Sequence, residues 1–384
     1  MRTQRKFGLN RLRRPARDIP ASQTFRIYRY ENAYGTNMPR FGPQMLGGGT
    51  MSTWNFRAVL LFAVTIMVLA GCTTAPIDAT SVSAQSRETD VTVSALPAAD
   101  LAGLYVAQDD GLFARQGLHV TIKKIASSTA IIADQVKGQI DIGAGSYVPY
   151  VLAQAGGAGF RILAEASSLK PHTRALVIPV GSSIKTVADL VGKRIGVNGT
   201  NSIGTLLISA LLQESGISPK KVEFVTDPQG FPAMPEQLQQ GDWQAAFLAE
   251  PYVTIAGEHY GDQELADLDQ GATLNFPIDG YVATQAWVKK NPKTAAAFVR
   301  AIEEGQAIAD NDHAVVEAAM GKSDNLAPIV TGVMWLPDFP IGPVDEKRIQ
   351  RVASAMLQFG MLSPRYATEV EQGTLVGSMI GTGS

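Results

Sequence analysis

Between residues 91 and 279 short β-rich runs alternate with amphipathic or apolar helical segments, and that alternation most constrains the fold. Val91–Ala95, Leu118–Lys124, Asp141–Gly143, Phe160–Ala166 and Ala175–Pro179 have strand character. Helical patterns over Leu101–Val106, from Ser127-Ser128 to Lys137, and over Tyr147–Ala155 separate the first four. A second series follows: strands at Arg194–Val197, Lys221–Thr226 and Trp243–Leu248, with helices at Ser202–Ser215, Met234–Gln240 and Glu250–Glu258. Strands interleaved with helices require a mostly parallel sheet with both faces covered, so the fold class is α/β. After residue 279 the pattern changes to one expected strand, Gly280–Val288, a long helix Pro292–Asp310 and a helical remainder. No tandem repeat is present.

Charge divides the chain. Of 33 Lys+Arg and 35 Asp+Glu, 11 and 2 precede Cys72, leaving 22 and 33 for the rest. A basic leader of net +9 thus precedes an acidic body of net -11, and the two parts are expected to meet different surroundings. An acidic body without a Lys/Arg run is a poor partner for nucleic acid. With 45% apolar and 18% charged residues, global disorder is excluded. One cysteine permits neither an internal disulfide nor a multi-cysteine metal centre, and the four histidines are far apart. No metal and no cofactor are therefore expected.

From Met51 the chain has a short polar start with one positive charge, Arg57, then the apolar run Ala58–Leu69 and a small-residue site. As a helix that run would span roughly 18 Å against a hydrocarbon core of about 30 Å, which fits a signal-peptide apolar region better than a membrane span. Leu69-Ala70-Gly71-Cys72 resembles the bacterial lipobox, in which the Cys is acylated with diacylglycerol and becomes the new N-terminus. Residues 51–71 are thus expected to be a lipoprotein signal peptide, with lipidation at Cys72, and 72–90 a small, polar, flexible tether. Residues 1–50 are expected to be a misassigned upstream stretch or a disordered extension.

Several blocks in the body carry a second resemblance. They are Leu104-Tyr105-Val106-Ala107-Gln108-Asp109-Asp110-Gly111-Leu112-Phe113, Gly117-Leu118-His119-Val120, Gly138-Gln139-Ile140-Asp141-Ile142-Gly143, residues 184–197, and Ala249-Glu250-Pro251-Tyr252. In this order and spacing they resemble the solute-binding proteins of nitrate/taurine/alkanesulfonate-type ABC importers, a superfamily shared with the binders of thiamine-pyrimidine precursors. The likeness runs from about residue 91 to 305. It implies a type II periplasmic-binding-protein fold, two α/β lobes joined by a hinge with a ligand cleft between them. Crossovers are expected near Arg174–Val180 and Phe276–Tyr281. Lobe one would hold 91–176 and 279–384, lobe two 177–278. The implied function is that of a lipid-anchored extracytoplasmic monomer that catalyses nothing. It would hand a small polar solute to an ABC permease and its ATPase. Candidate solutes are a sulfonate, nitrate or similar anion, or an aminopyrimidine. The alternatives are a pyrimidine synthase or menaquinone-pathway dehydratase on the same fold, or a lipid-anchored sensor that does not transport. The pyrimidine synthase of this superfamily relies on a Cys-rich motif, which one cysteine cannot supply. Departures from the family pattern are Gly241-Asp242-Trp243-Gln244, His259, Trp335 and the loop Leu336–Pro343.

Each candidate ligand residue has a functional and an ordinary reading. Thr200, Asn201 and Ser202 open a helix whose free N–H groups attract an anion or polar oxygen, or they cap it. Ser146 could donate to a ligand and Tyr147 stack on a ring, or they are a cap and a half-buried tyrosine. Asp100 is a ligand acid or, more simply, a helix cap. Glu250, with Tyr252 after it, could accept from an amine or aminopyrimidine, or be a first-turn acid favoured by the helix dipole. Arg174 on the first crossover could bind an anionic ligand or pair across the hinge with Asp279 on the second. Three acids facing a cleft would favour a solute with hydrogen-bond donors. Acids that only cap helices would leave Arg174 and backbone amides to favour an anion.

Overall fold

The computed structural model describes residues 88–380; the extension, the signal segment with Cys72 and most of the tether lie outside the described residues. Ten strands follow in chain order: β1 Thr89–Ala95, β2 Leu118–Lys124, β3 Ile142–Ser146, β4 Phe160–Ser168, β5 Arg174–Ile178, β6 Arg194–Val197, β7 Glu223–Thr226, β8 Ala245–Ala249, β9 Gln263–Asp267 and β10 Pro277–Thr284. They form two five-stranded sheets, ordered β2-β1-β3-β10-β4 and β7-β6-β8-β5-β9. Each sheet supports one α/β lobe.

The two sheets share one plan. In each, three strands run parallel, and the fourth in the order is antiparallel to its neighbours. That fourth strand, β5 or β10, is the one that has just arrived from the other lobe. The chain crosses once between β4 and β5 and returns between β9 and β10. Every residue of β3, β5 and β8 is buried, as expected of central strands covered by helices on both faces. Because the strands run parallel, their carboxyl ends gather at one edge of each sheet. Arg174 starts β5 opposite Ala249, the last residue of β8, and Asp279 of β10 lies opposite Ser146, the last residue of β3. Both crossovers therefore enter at the carboxyl edges, where open α/β sheets place their ligands.

Three elements differ from the sequence reading. The expected strand Gly280–Val288 is β10 followed by a helix, Gln285–Lys290, because Thr284 Oγ1 accepts the Trp287 N–H at 3.1 Å and starts a turn. Strand β9 was not anticipated, since an edge strand of sequence Gln-Glu-Leu-Ala-Asp has no alternating apolar face. Asp100 does not cap a helix. It lies inside a short 3-10 turn, Ala99–Leu101, and its side chain makes no cap bond.

The long helix Pro292–Asn311 returns to the first lobe and packs on helix Ala102–Asp109 through small residues. A Cβ on Gly305 would stand 2.5 Å from the Gly103 carbonyl. The loop 336–343 is tied to the end of β4, where Ser168 and Asp338 exchange backbone hydrogen bonds of 3.0 and 3.1 Å.

Candidate functional site

Arg174 is 1% exposed, and its charge is met by two acids. Its Nη2 lies 2.8 Å from Asp100 Oδ2 and 3.4 Å from Asp279 Oδ2. Asp100 Oδ1 also accepts from Ser167 Oγ at 2.9 Å. Asp100 follows β1 in the first lobe, Arg174 opens the first crossover strand and Asp279 lies near the start of the second. The triad therefore pins both crossovers to the first lobe. Burial raises the Asp279 carboxyl, and the neighbouring Asp100 adds to the rise while Arg174 opposes it. The guanidinium packs against Phe231 and Phe247, 5.5 and 5.7 Å from their ring centroids. Tyr252 stacks on Phe231 at 6.1 Å, which completes an aromatic wall.

The triad leaves donors and acceptors over. Arg174 Nε and Nη1 and Asp279 Oδ1 are buried without hydrogen-bond partners among the described residues. At the carboxyl ends of β6 and β7 the same holds for Asn198 Oδ1, Ser202 Oγ and Asp227 Oδ2. Ser202 occupies the position before helix Ile203–Glu214, but its hydroxyl makes no cap bond. The capping reading of Ser202 is thereby corrected. Thr200 and Asn201 stand exposed in the preceding turn and do not join the buried group. Asn198, at the start of the same segment, and Asp227, which sequence reasoning missed, do join it. Their signal was positional, each being the first residue beyond a parallel strand.

Glu250 is 1% exposed and saturated. Its carboxylate accepts from Thr254 N at 3.1 Å, Thr254 Oγ1 at 2.9 Å and Trp335 N at 3.2 Å. Burial pushes its carboxyl up to about 7 against the lowering effect of those bonds. Its backbone carbonyl accepts the Ala99 N–H at 2.9 Å. Glu250 therefore joins the second lobe to two segments of the first. Away from the crossovers Gly230 meets the 126 loop, where a Cβ on it would stand 2.8 Å from the Ala126 carbonyl. The lobes therefore touch both beside the crossovers, at Glu250, and at Gly230.

The first-lobe candidates Ser146 and Tyr147 have structural roles. Ser146 Oγ accepts the Val148 N–H at 3.4 Å as a helix cap. Tyr147 is fully buried rather than half-buried, with its ring against Gly280, so it cannot stack on a ligand. Trp243, one of the departures from the family pattern, is core, since a Cβ on Gly196 would meet its ring at 2.2 Å. His172 lies beside Glu264, Nδ1 to Oε2 being 3.0 Å, and its ring is 5.0 Å from that of Trp335.

A family model described as NMT1/THI5 like matches residues 98–313, more than half of the chain. The chain belongs to the NMT1/THI5-like family. A protein of Escherichia coli (strain K12) named as an aliphatic sulfonates-binding protein is 27% identical over 212 residues, 54% of this chain and 64% of that protein. A 4-amino-5-hydroxymethyl-2-methylpyrimidine phosphate synthase of Schizosaccharomyces pombe is 24% identical over 207 residues, 52% of this chain and 59% of the synthase. In both, the match spans less than two thirds of the relative's length. Two solved structures share the fold of this NMT1/THI5-like chain. The alkanesulfonate-binding protein SsuA from Xanthomonas axonopodis pv. citri, bound to MOPS, superposes with a TM-score of 0.64 at 17% identity, over 73% of this chain and 96% of that one. The periplasmic nitrate-binding protein NrtA from Synechocystis PCC 6803 superposes with a TM-score of 0.62 at 16% identity, over 77% and 91%. This is the periplasmic-binding-protein fold.

Proposed function

We propose that this chain is the extracytoplasmic solute-binding component of an ABC importer. It closes over a small polar solute and delivers it to a permease served by an ATPase. Diacylglycerol on Cys72 holds it at the membrane, and the tether after Cys72 keeps the folded body at high effective concentration near the permease. It acts as a monomer and catalyses no reaction.

One observation carries this reading. Six buried polar atoms without partners, on Arg174, Asn198, Ser202, Asp227 and Asp279, stand at the carboxyl edges of the two sheets. Each such atom costs about 1–3 kcal/mol if nothing meets it, so a ligand that meets them is favoured. The charges favour its class. Asp100, Asp227 and Asp279 outnumber Arg174, the single buried cation among the described residues. A bare sulfonate or nitrate would satisfy Arg174 and face the acids unmet. A solute with donors for Asp227 and Asp279 and an acceptor for Arg174 fits better, and an aminopyrimidine has both.

The experiment is a thermal-shift and native mass-spectrometry panel of aminopyrimidines, alkanesulfonates, nitrate and aromatic acids. The expected outcome is a 1:1 complex with an aminopyrimidine, recovered chemically unchanged. Preference for a sulfonate would overturn the ligand class. Conversion of the bound compound would favour the enzyme named among the relatives. Cys72→Ser should move the protein from the membrane fraction to the soluble one, and an unchanged distribution would remove the anchor.

A further inference from the structure

A second cluster lies apart from the unpartnered polar groups, on the outer edge of the second sheet. His172 sits in the crossover between β4 and β5, and Glu264 and Asp267 lie on β9. One ligand atom from each lies within 4.8 Å of the other two. His172 Nδ1 is 3.2 and 3.0 Å from the two Glu264 oxygens. Two donors each about 2.1 Å from one ion, at about 90°, lie about 3 Å apart, so the spacing of this hydrogen-bonded pair is also compatible with neighbouring ligands in one coordination shell.

The strand geometry makes the cluster. Residues three apart in a regular strand point to opposite faces. In the β5–β9 pair Leu176 lies opposite Ala266 and Val177 opposite Glu264, so Leu265 is an extra residue and the ladder bulges there. The bulge resets the alternation and turns Glu264 and Asp267 to one side, towards His172. Bulges re-aim side chains in this way and are enriched beside functional sites. Asp267 Oδ1 also accepts the Asp269 N–H, just past the end of β9, at 3.0 Å. A cavity of about 290 Å³, lined in part by His172, Glu264 and Trp335, opens beside the imidazole and leaves room for water ligands.

We propose that His172, Glu264 and Asp267 bind a divalent transition-metal ion, zinc or a first-row ion of similar size. One imidazole nitrogen and two carboxylates suit zinc, cobalt or manganese rather than calcium or magnesium, which take oxygen alone. The ion would clamp the first crossover to the outermost strand of the second lobe. Sequence reading gave no hint of it, because His172 and Glu264 are 92 positions apart.

The test is calorimetric titration of the full chain with zinc, paired with cobalt titration followed by visible absorption. The expected result is one zinc per chain and a cobalt ligand-field band. Both should be weakened at least about tenfold in His172→Asn and in Glu264→Gln. Asn suits the position because residue 172 has a φ of 67°, which Asn tolerates. Unfolding of each variant without metal checks that the fold survives. Absence of zinc binding at about 1 mM, or binding undiminished in His172→Asn, overturns the site.

Discussion

Arg174 Nη2 approaches Asp100 Oδ2 to 2.8 Å, while Nε and Nη1 of the same guanidinium have no protein partner. One side of this buried cation ties the first crossover to the first lobe, and the other remains available. Arg174→Met should leave Asp100 and Asp279 as uncompensated buried acids and cost about 3–5 kcal/mol in urea unfolding. Adding Asp279→Asn should recover part of the loss. A single variant as stable as the parent would show that the triad does not hold the hinge.

Glu250 couples the hinge to pH. Its carboxyl is pushed up from 4.5 to about 7 by burial. A raised folded-state value means that its contribution to stability is full below about 4.5 and is lost as pH climbs towards 7. Glu250→Gln mimics the protonated form. The variant should match the parent near pH 4.5 and exceed it by roughly 3 kcal/mol above pH 7. Parallel stability curves for the two proteins across that window would contradict the assignment.

Gly230 stands at a contact between the two lobes. It has a φ of 71°, and a Cβ there would press on the Ala126 carbonyl at 2.8 Å. Gly230→Val adds both strain and a wedge at that contact. Small-angle scattering should show a larger radius of gyration with solute present, and solute affinity should fall about tenfold or more. Equal affinity would mean that this contact is dispensable.

Gly280 seats the Tyr147 ring inside the first lobe, where an added methyl would lie 2.5 Å from a ring carbon. Gly280→Ala should cost about 1–3 kcal/mol through overpacking, with solute affinity per folded molecule unchanged. Loss of affinity without loss of stability would return Tyr147 to the binding site.

The fold was legible because it is written in short-range patterns. A strand buried on both faces, such as β8, gives an unbroken apolar run, and the helices between the strands keep their period. β9 was not legible, since its edge position removes the apolar pattern. The site was legible only in part. Pairing of Arg174 with Asp279 across the hinge was one of two readings of the sequence, and Asp100 was read as a ligand acid or a local cap, not as a partner of Arg174. A carboxylate beside a helical turn looks the same in sequence whether it caps that turn or meets an arginine far along the chain.

By itself the sequence determined that an acidic α/β body follows a basic segment with an apolar run before Cys72, because charge and hydropathy are sums over neighbouring residues. Only the tertiary structure decided which polar groups are spent and which are left. It closed Glu250 with Thr254 and Trp335, and it exposed Thr200 and Asn201. It also buried Asn198, Ser202 and Asp227 without partners. Those outcomes depend on which strand ends two crossovers bring together. Desolvation and pairing act through space, between residues whose separation along the chain carries no trace of their contact.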